Sequence, residues 1–222
     1  MYLTKISLNP RNPNARRDWK HAYEFHRTLR TSLNGELTDG DRQPKQRLLF
    51  FLDNDKGEAL VQTETNLPFS AKLPEGYALR VQSKAFEPTF YKGQLLRFRL
   101  LANPTQCLKA NGKRTPLWTK RKPEWTTEQR LKAEMDDRAS WKTWIERKAE
   151  HGGFRVLDVQ MQHDTLKAQQ SEAKNRNETT HLSVLFEGVL EIVTPDTFIE
   201  TLKQGIGASK GFGFGMMQLA PL

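Results

Sequence analysis

A chain of 222 residues, 36% hydrophobic and 27% charged, has the composition of a folded protein with one large or two smaller domains, not of a disordered tail. No apolar run approaches the ~20 residues that a membrane-spanning helix needs, and Met1–Ile6 lacks the basic stretch and apolar core of a secretion signal. The single cysteine, Cys107, forms neither an internal disulfide nor a zinc site on its own, so a cytoplasmic location is expected. A net charge of +9, from 35 Lys and Arg against 26 Asp and Glu, points to a polyanionic partner, with nucleic acid ahead of a membrane surface.

The chain opens on a predicted strand over Tyr2–Leu8, followed by an Asn- and Pro-rich turn at residues 9–14. A helix is expected over Arg16–Leu33, with Trp19, Ala22, Phe25, Leu29 and Leu33 as its apolar stripe and Gly35 as its stop. Strands follow at Arg47–Asp53, Glu58–Thr63, Tyr77–Lys84 and Gln94–Ala102, with one helical turn at Pro68–Lys72. In the last strand Leu96, Phe98 and Leu100 alternate with Arg97 and Arg99, which predicts one apolar and one positive sheet face.

Asn103-Pro104 reads as a domain boundary, dividing the chain into residues 1–103 and 104–222. A short strand near Gln106–Leu108 precedes a loop in which Lys109–Lys122 holds six cations and no acid. The helix Thr126–Glu150 carries six cations and six acids, so Asp136 and Asp137 read as solvated. Trp141, Trp144, Ile145 and Ala149 recur on it at core spacing. A strand at Phe154–Gln162, a polar loop at Asp164–Glu178 and a strand at His181–Val193 follow. The helix Pro195–Lys203, with Thr194 as N-cap, and a strand at Phe212–Leu219 close the chain. The second half thus reads β-α-β-β-α-β, and the first half repeats it with a residual second helix. The expected fold class is α+β, with two tandem ferredoxin-like domains whose uncovered faces form a positive groove for a phosphate backbone.

Residues 205–215 contain five glycines in eleven residues, a place where backbone turns tightly or meets a ligand. Neither a Walker loop nor a dinucleotide fingerprint is present, since the order here is helix, glycines, strand. Backbone N–H groups with Ser209 and Lys210 are instead expected to face phosphate. The segment fits Gly-h-Gly-x5-Gly-h-Gly-h-h (h apolar) at Gly205, Gly207, Gly213, Gly215, Met216 and Met217. It resembles the C-terminal glycine-rich loop of the RAMP superfamily of CRISPR proteins. Met1-Tyr2-Leu3, Phe98-Arg99-Leu100-Leu101-Ala102-Asn103-Pro104, Phe186-Glu187-Gly188-Val189-Leu190 and Leu219-Ala220-Pro221-Leu222 extend the resemblance to the CasE family of repeat endoribonucleases of type I-E Cascade.

That resemblance implies cleavage of CRISPR precursor RNA at the base of a repeat hairpin. It also implies retention of the crRNA product and assembly with other Cascade subunits. No cofactor or metal is expected: the RNA's own 2′-hydroxyl is the nucleophile, served by a base, an acid and positive charge. Of five histidines, His26 lies three residues after Tyr23, on one helix face. Spacing alone makes that pair structural. The family carries its active-site Tyr and His on the first helix, and the resemblance makes Tyr23 and His26 the expected catalytic pair. Whether His26 is base or acid stays open at this level, and His21 faces elsewhere on a continuous helix. Arg27, Ser209 and Lys210 are candidates for a third participant. A family role in stem recognition for a basic C-terminal hairpin points to Arg155, Lys167, Lys174 and Arg176. The alternative is a non-catalytic RNA-binding subunit of the same superfamily, which has no need of the Tyr23/His26 pair.

Overall fold

The computed structural model describes residues 1–33, 47–107, 114–169 and 178–222. It is a mixed α/β protein built on two four-stranded antiparallel sheets. The first contains β1 (Tyr2–Leu8), β2 (Leu49–Asp53), β3 (Glu58–Thr63) and β4 (Ala78–Ala85), in the order β2-β3-β1-β4. One face is packed by Phe25, Leu29 and Leu33 of the helical segment, against Ile6, Leu8, Phe50, Ala59 and Val61 of the strands. A single turn, α3 (Phe69–Lys72), stands where the second helix was expected to be residual.

The predicted helix over Arg16–Leu33 is two helices, α1 (Pro13–Lys20) and α2 (Ala22–Ser32), with extended backbone at His21 between them. The buried Asp18 carboxylate holds this break: it accepts from Tyr77 Oη at 2.8 Å and Thr28 Oγ1 at 2.5 Å, and pairs with Arg17 at 2.7 Å. Burial and the neighbouring Asp18 charge push the Tyr77 hydroxyl well above its ordinary pKa, so it stays the donor in this bond. His21 is exposed at the junction, so helix-wheel arithmetic does not relate it to His26.

The second sheet runs β10-β5-β9-β8, from β5 (Leu95–Ala102), β8 (Phe154–Gln169), β9 (Glu178–Ile192) and β10 (Met217–Pro221). Here the strand Gln94–Ala102, assigned from sequence to the first half, is corrected: β5 bonds to β9 and β10, so the division at residue 103 separates it from its own sheet. A small ribbon pairs β6 (Thr105–Cys107) with β7 (Arg114–Pro116). The long helix α4 (Thr127–His151) starts at a Thr126/Gln129 capping box. It buries Trp141, Trp144, Ile145 and Ala149 against Leu182, Val184, Phe186, Leu190 and Ile192, the alternate residues of β9. Asp137 is buried rather than solvated. It accepts from the backbone N–H and hydroxyl of Thr119 and pairs with Arg121 at 2.8 Å, anchoring the basic loop to α4. The helix α5 (Pro195–Gln204) begins after Thr194, whose side chain makes no capping bond.

The expected polar loop after residue 164 is also corrected, because β8 and β9 form a long hairpin paired as far as Gln169 and Glu178. The two sheets are joined by a buried bond from Gln62 Nε2 to Leu202 O at 2.8 Å, and by Leu49 packed on Gly205. Arg99 lies with its guanidinium carbon 5.1 Å from the centre of the Phe51 ring of β2. The uncovered face of the second sheet is less positive than expected. Arg97 and Arg99 share it with Asp158 and Glu187, and Arg99 pairs with Glu187 at 3.2 Å.

Candidate active site

Pro13 opens α1 behind the Asn12 cap, whose side chain accepts from the N–H groups of Asn14 and Ala15. With Asp18 setting the angle into α2, Phe25 and Leu29 face the core and Tyr23, His26, Arg27, Arg30 and Thr31 face out. Those five line an open depression of about 480 Å³. Arg27 pairs with Glu24 at 2.5 Å. The His26 ring stacks on Phe50, with ring centres 6.1 Å apart and planes at 16°. Among the described residues it has no hydrogen-bond partner, so both ring nitrogens are available to a ligand. Burial, reinforced by the Arg30 charge, lowers its pKa to about 4, so the imidazole is neutral at pH 7.

The glycine-rich segment closes over this helix from the other sheet. A short 3-10 turn, Lys210–Phe212, lays the Phe212 ring on Tyr23 with centres 5.3 Å apart. Gly211, which the sequence reading did not single out, lies so close to His26 that a Cβ there would stand 3.2 Å from its Cε1 and Nδ1. Gly205, Gly207, Gly213 and Gly215 all have positive φ. At Gly213 an added Cβ would also meet the Phe50 ring at 3.1 Å, so backbone and packing together demand glycine there. Gly215 donates to Leu101 O and accepts from Ile206 N–H, pinning the loop to β5.

Ser209 and Lys210, the side chains expected to face phosphate, each have partners within the chain. Ser209 sits in the left-handed region at φ 61°, with its hydroxyl 3.1 Å from Asn103 Nδ2 and 3.4 Å from His181 Nδ1. His181 in turn packs on Phe212 at 4.2 Å, and burial lowers its pKa. Lys210 Nζ donates to Gly207 O at 2.6 Å. Arg155 lies at the base of the β8–β9 hairpin, paired with Glu191 at 3.4 Å. Lys167 falls on β8, its backbone opposite Thr180, while Lys174 and Arg176 lie outside the described residues. Of the residues expected from sequence, the fold gathers Tyr23, His26 and Arg27 around one depression. Phe50, Gly211 and Phe212, which local patterns do not point to, and His181, one of the five histidines, come against them where the two sheets meet.

The contact at Gly211 makes a prediction. Gly211 does not have positive φ, so Gly211→Ala displaces the His26 ring without straining the backbone. Because a misplacement of about 1 Å costs up to ~10²-fold and the ring must give by a few tenths of an ångström, a reaction served by His26 should slow severalfold. The melting temperature should shift by less than about 3 °C, equivalent to roughly 1 kcal/mol in a chain of this size. Rate and melting curves on the one variant check both halves.

Comparisons with known proteins agree with this architecture. A family model described as "CRISPR associated protein" matches residues 1–221. The chain is 38% identical to the CRISPR-associated endoribonuclease Cse3 of Thermus thermophilus, over the whole length of both chains. It is 31% identical to the CRISPR system Cascade subunit CasE of Escherichia coli, across 69% of this chain and 72% of that one. Among solved structures, Thermus thermophilus Cse3 bound to an RNA representing a pre-cleavage complex superposes with a TM-score of 0.77 at 37% identity, covering 99% of this chain and 98% of that one. The chain belongs to the family of CRISPR-associated proteins.

Proposed function

We propose that this protein is the CRISPR repeat endoribonuclease of a Cascade complex, and that Tyr23 and His26 form its reaction centre. The observation that carries the assignment of the site is the meeting of α2 with the glycine-rich loop, Gly211 against His26 and Phe212 on Tyr23, over a depression flanked by two guanidiniums. The strand orders β2-β3-β1-β4 and β10-β5-β9-β8 support two ferredoxin-like units, with the boundary between β4 and β5. The substrate is the repeat hairpin of CRISPR precursor RNA, cut at the base of its stem. The crRNA is retained, and the partners are the other Cascade subunits. A single cysteine, exposed Cys107, fits work in a reducing cytoplasm.

In the reaction, the neutral imidazole of His26 takes the proton of the ribose 2′-hydroxyl. The 2′-oxygen bonds to phosphorus, the bond to the 5′-oxygen breaks, and that oxygen is protonated from solvent at the open mouth of the depression. Arg27 and Arg30, which line the same depression, supply positive charge for the phosphorane, and the Tyr23 hydroxyl orients the phosphate. The lowered pKa supports the base reading, since it leaves the imidazole neutral and able to accept a proton at pH 7.

The pH dependence tests this assignment. Because kcat/KM reports groups of the free enzyme, it should be flat from about pH 6 to 8 and fall as pH drops through about 4, where His26 gains its proton. An acid role gives the opposite sign, a kcat/KM that falls tenfold per unit as pH rises above about 4. Cleavage of the repeat hairpin across this range, followed under single-turnover conditions with limiting RNA, separates the two.

A further inference from the structure

The far end of the glycine-rich loop gathers positive charge that the reaction centre does not use. Lys210 turns its ammonium back onto Gly207 O at 2.6 Å, away from His26. Gly207 lies against the Trp144 ring, where an added Cβ would stand 3.1 Å away, and the Lys148 ammonium is 5.9 Å from the centre of that same ring. Three residues earlier, Gln204 O accepts from the Arg47 guanidinium at 3.3 Å. Four elements thus bring cations to one place: the loop, α4, the segment entering β2, and β7 through Arg114. The carbonyls that accept from Arg47 and Lys210 are neutral, and among the described residues none of the four cations forms an ion pair. The nearby Glu64 carboxylate takes the backbone N–H of Arg47 at 3.3 Å.

The charges press on one another. The Lys210 pKa falls to about 8, first through burial and then through Arg47, Arg114 and Lys148, while Lys148 is lowered by burial, Arg147 and Arg114. Mutual repulsion in a half-buried place is a cost to the free protein that an anion removes.

We propose that Arg47, Lys148 and Lys210, with Arg114 beside them, form a second phosphate site that grips the RNA backbone a few nucleotides from the cut. The inference rests on the repeat-RNA reading above. The loop joins the two places: Gly211 touches His26 and Gly207 touches Trp144, so a strand lying along it meets the depression at one end and the cation cluster at the other. The ligand is a backbone phosphodiester, recognised by charge and without regard to base.

The test uses repeat RNA made uncleavable by a 2′-deoxyribose at the cut, bound by the wild-type chain and by Arg47→Ala and Lys148→Ala. Each variant should bind more weakly, and its penalty should be about threefold larger at 50 mM than at 200 mM salt, as losing one phosphate contact requires. Uncharged methylphosphonates placed singly near the cut should reveal one position that weakens the wild type and adds nothing to either variant. Melting temperatures should be unchanged or higher, because repulsion is relieved. Unchanged affinity and salt slope, or penalties that add at every phosphate, overturn the site. So does a lowered melting temperature with wild-type affinity. If the wild type itself fails to bind the RNA, the repeat-RNA reading falls together with it, whereas normal wild-type binding with silent variants removes this inference alone.

Discussion

His26→Ala is expected to lower the rate of repeat-RNA cleavage by at least ~10²-fold, the usual worth of a positioned acid or base. Affinity for uncleaved RNA should change by less than about 1 kcal/mol, because the imidazole acts mainly on a proton that moves in the transition state. The fold explains why the loss should be that specific. The His26 ring rests on Phe50 and under Gly211, and among the described residues it holds no other side chain by a hydrogen bond, so truncation leaves the neighbouring groups in place. His21→Ala supplies the comparison, since His21 is exposed in the extended link between α1 and α2 and should cleave normally. Single-turnover rates and filter-binding affinities on both variants check this. A dead His21 variant beside an active His26 variant would place the chemistry on the wrong side of the helix break.

Much of the architecture is legible in the sequence because it is written in local periodicity. The alternation of Leu182, Val184, Phe186, Leu190 and Ile192 marks a strand with one buried face, and all five are buried. The aromatic spacing on α4 reads as core, and Trp141 and Trp144 are core. What periodicity does not encode is the identity of a strand's neighbour. The pattern of Leu96, Phe98 and Leu100 is the same whichever sheet β5 joins, and pairing with β9 and β10, far along the chain, decides it. The far end of the β8–β9 hairpin was missed for a related reason. Beyond Asp164 the apolar alternation shrinks to Leu166 and Ala168 amid polar residues, so the ladder to β9 decides that it is a strand.

The helix break shows a third limit. No Gly or Pro marks His21, and a 3.6-residue stripe runs straight through it. Asp18 interrupts the helix by bonds to Tyr77 and Thr28, partners that no local pattern names. The site divides along the same line. Tyr23, His26 and Arg27 share one short helix, so local spacing already sets them side by side. The inward turn of Ser209 toward Asn103 and His181, and of Lys210 toward Gly207, depends on the positive φ angles within the loop and on which sheet the loop is pinned to.

The central claim is that the RNA supplies its own nucleophile, with His26 removing the proton. Replacing the single ribose 5′ to the cut by deoxyribose deletes that nucleophile and leaves the phosphate, the stem and every basic contact intact. Cleavage should therefore be abolished while binding is retained, a larger loss than any single side chain of the site can cause. Unmodified RNA incubated with the protein in EDTA should still be cut, giving a 2′,3′-cyclic phosphate, or its opened phosphate, opposite a 5′-hydroxyl. Mapping the product ends of the two RNAs side by side is the direct measurement. The account predicts cyclic-phosphate and 5′-hydroxyl ends from the ribose substrate and no product from the deoxyribose one. Cleavage of the deoxyribose RNA, 5′-phosphate ends, or loss of activity on chelation would contradict it.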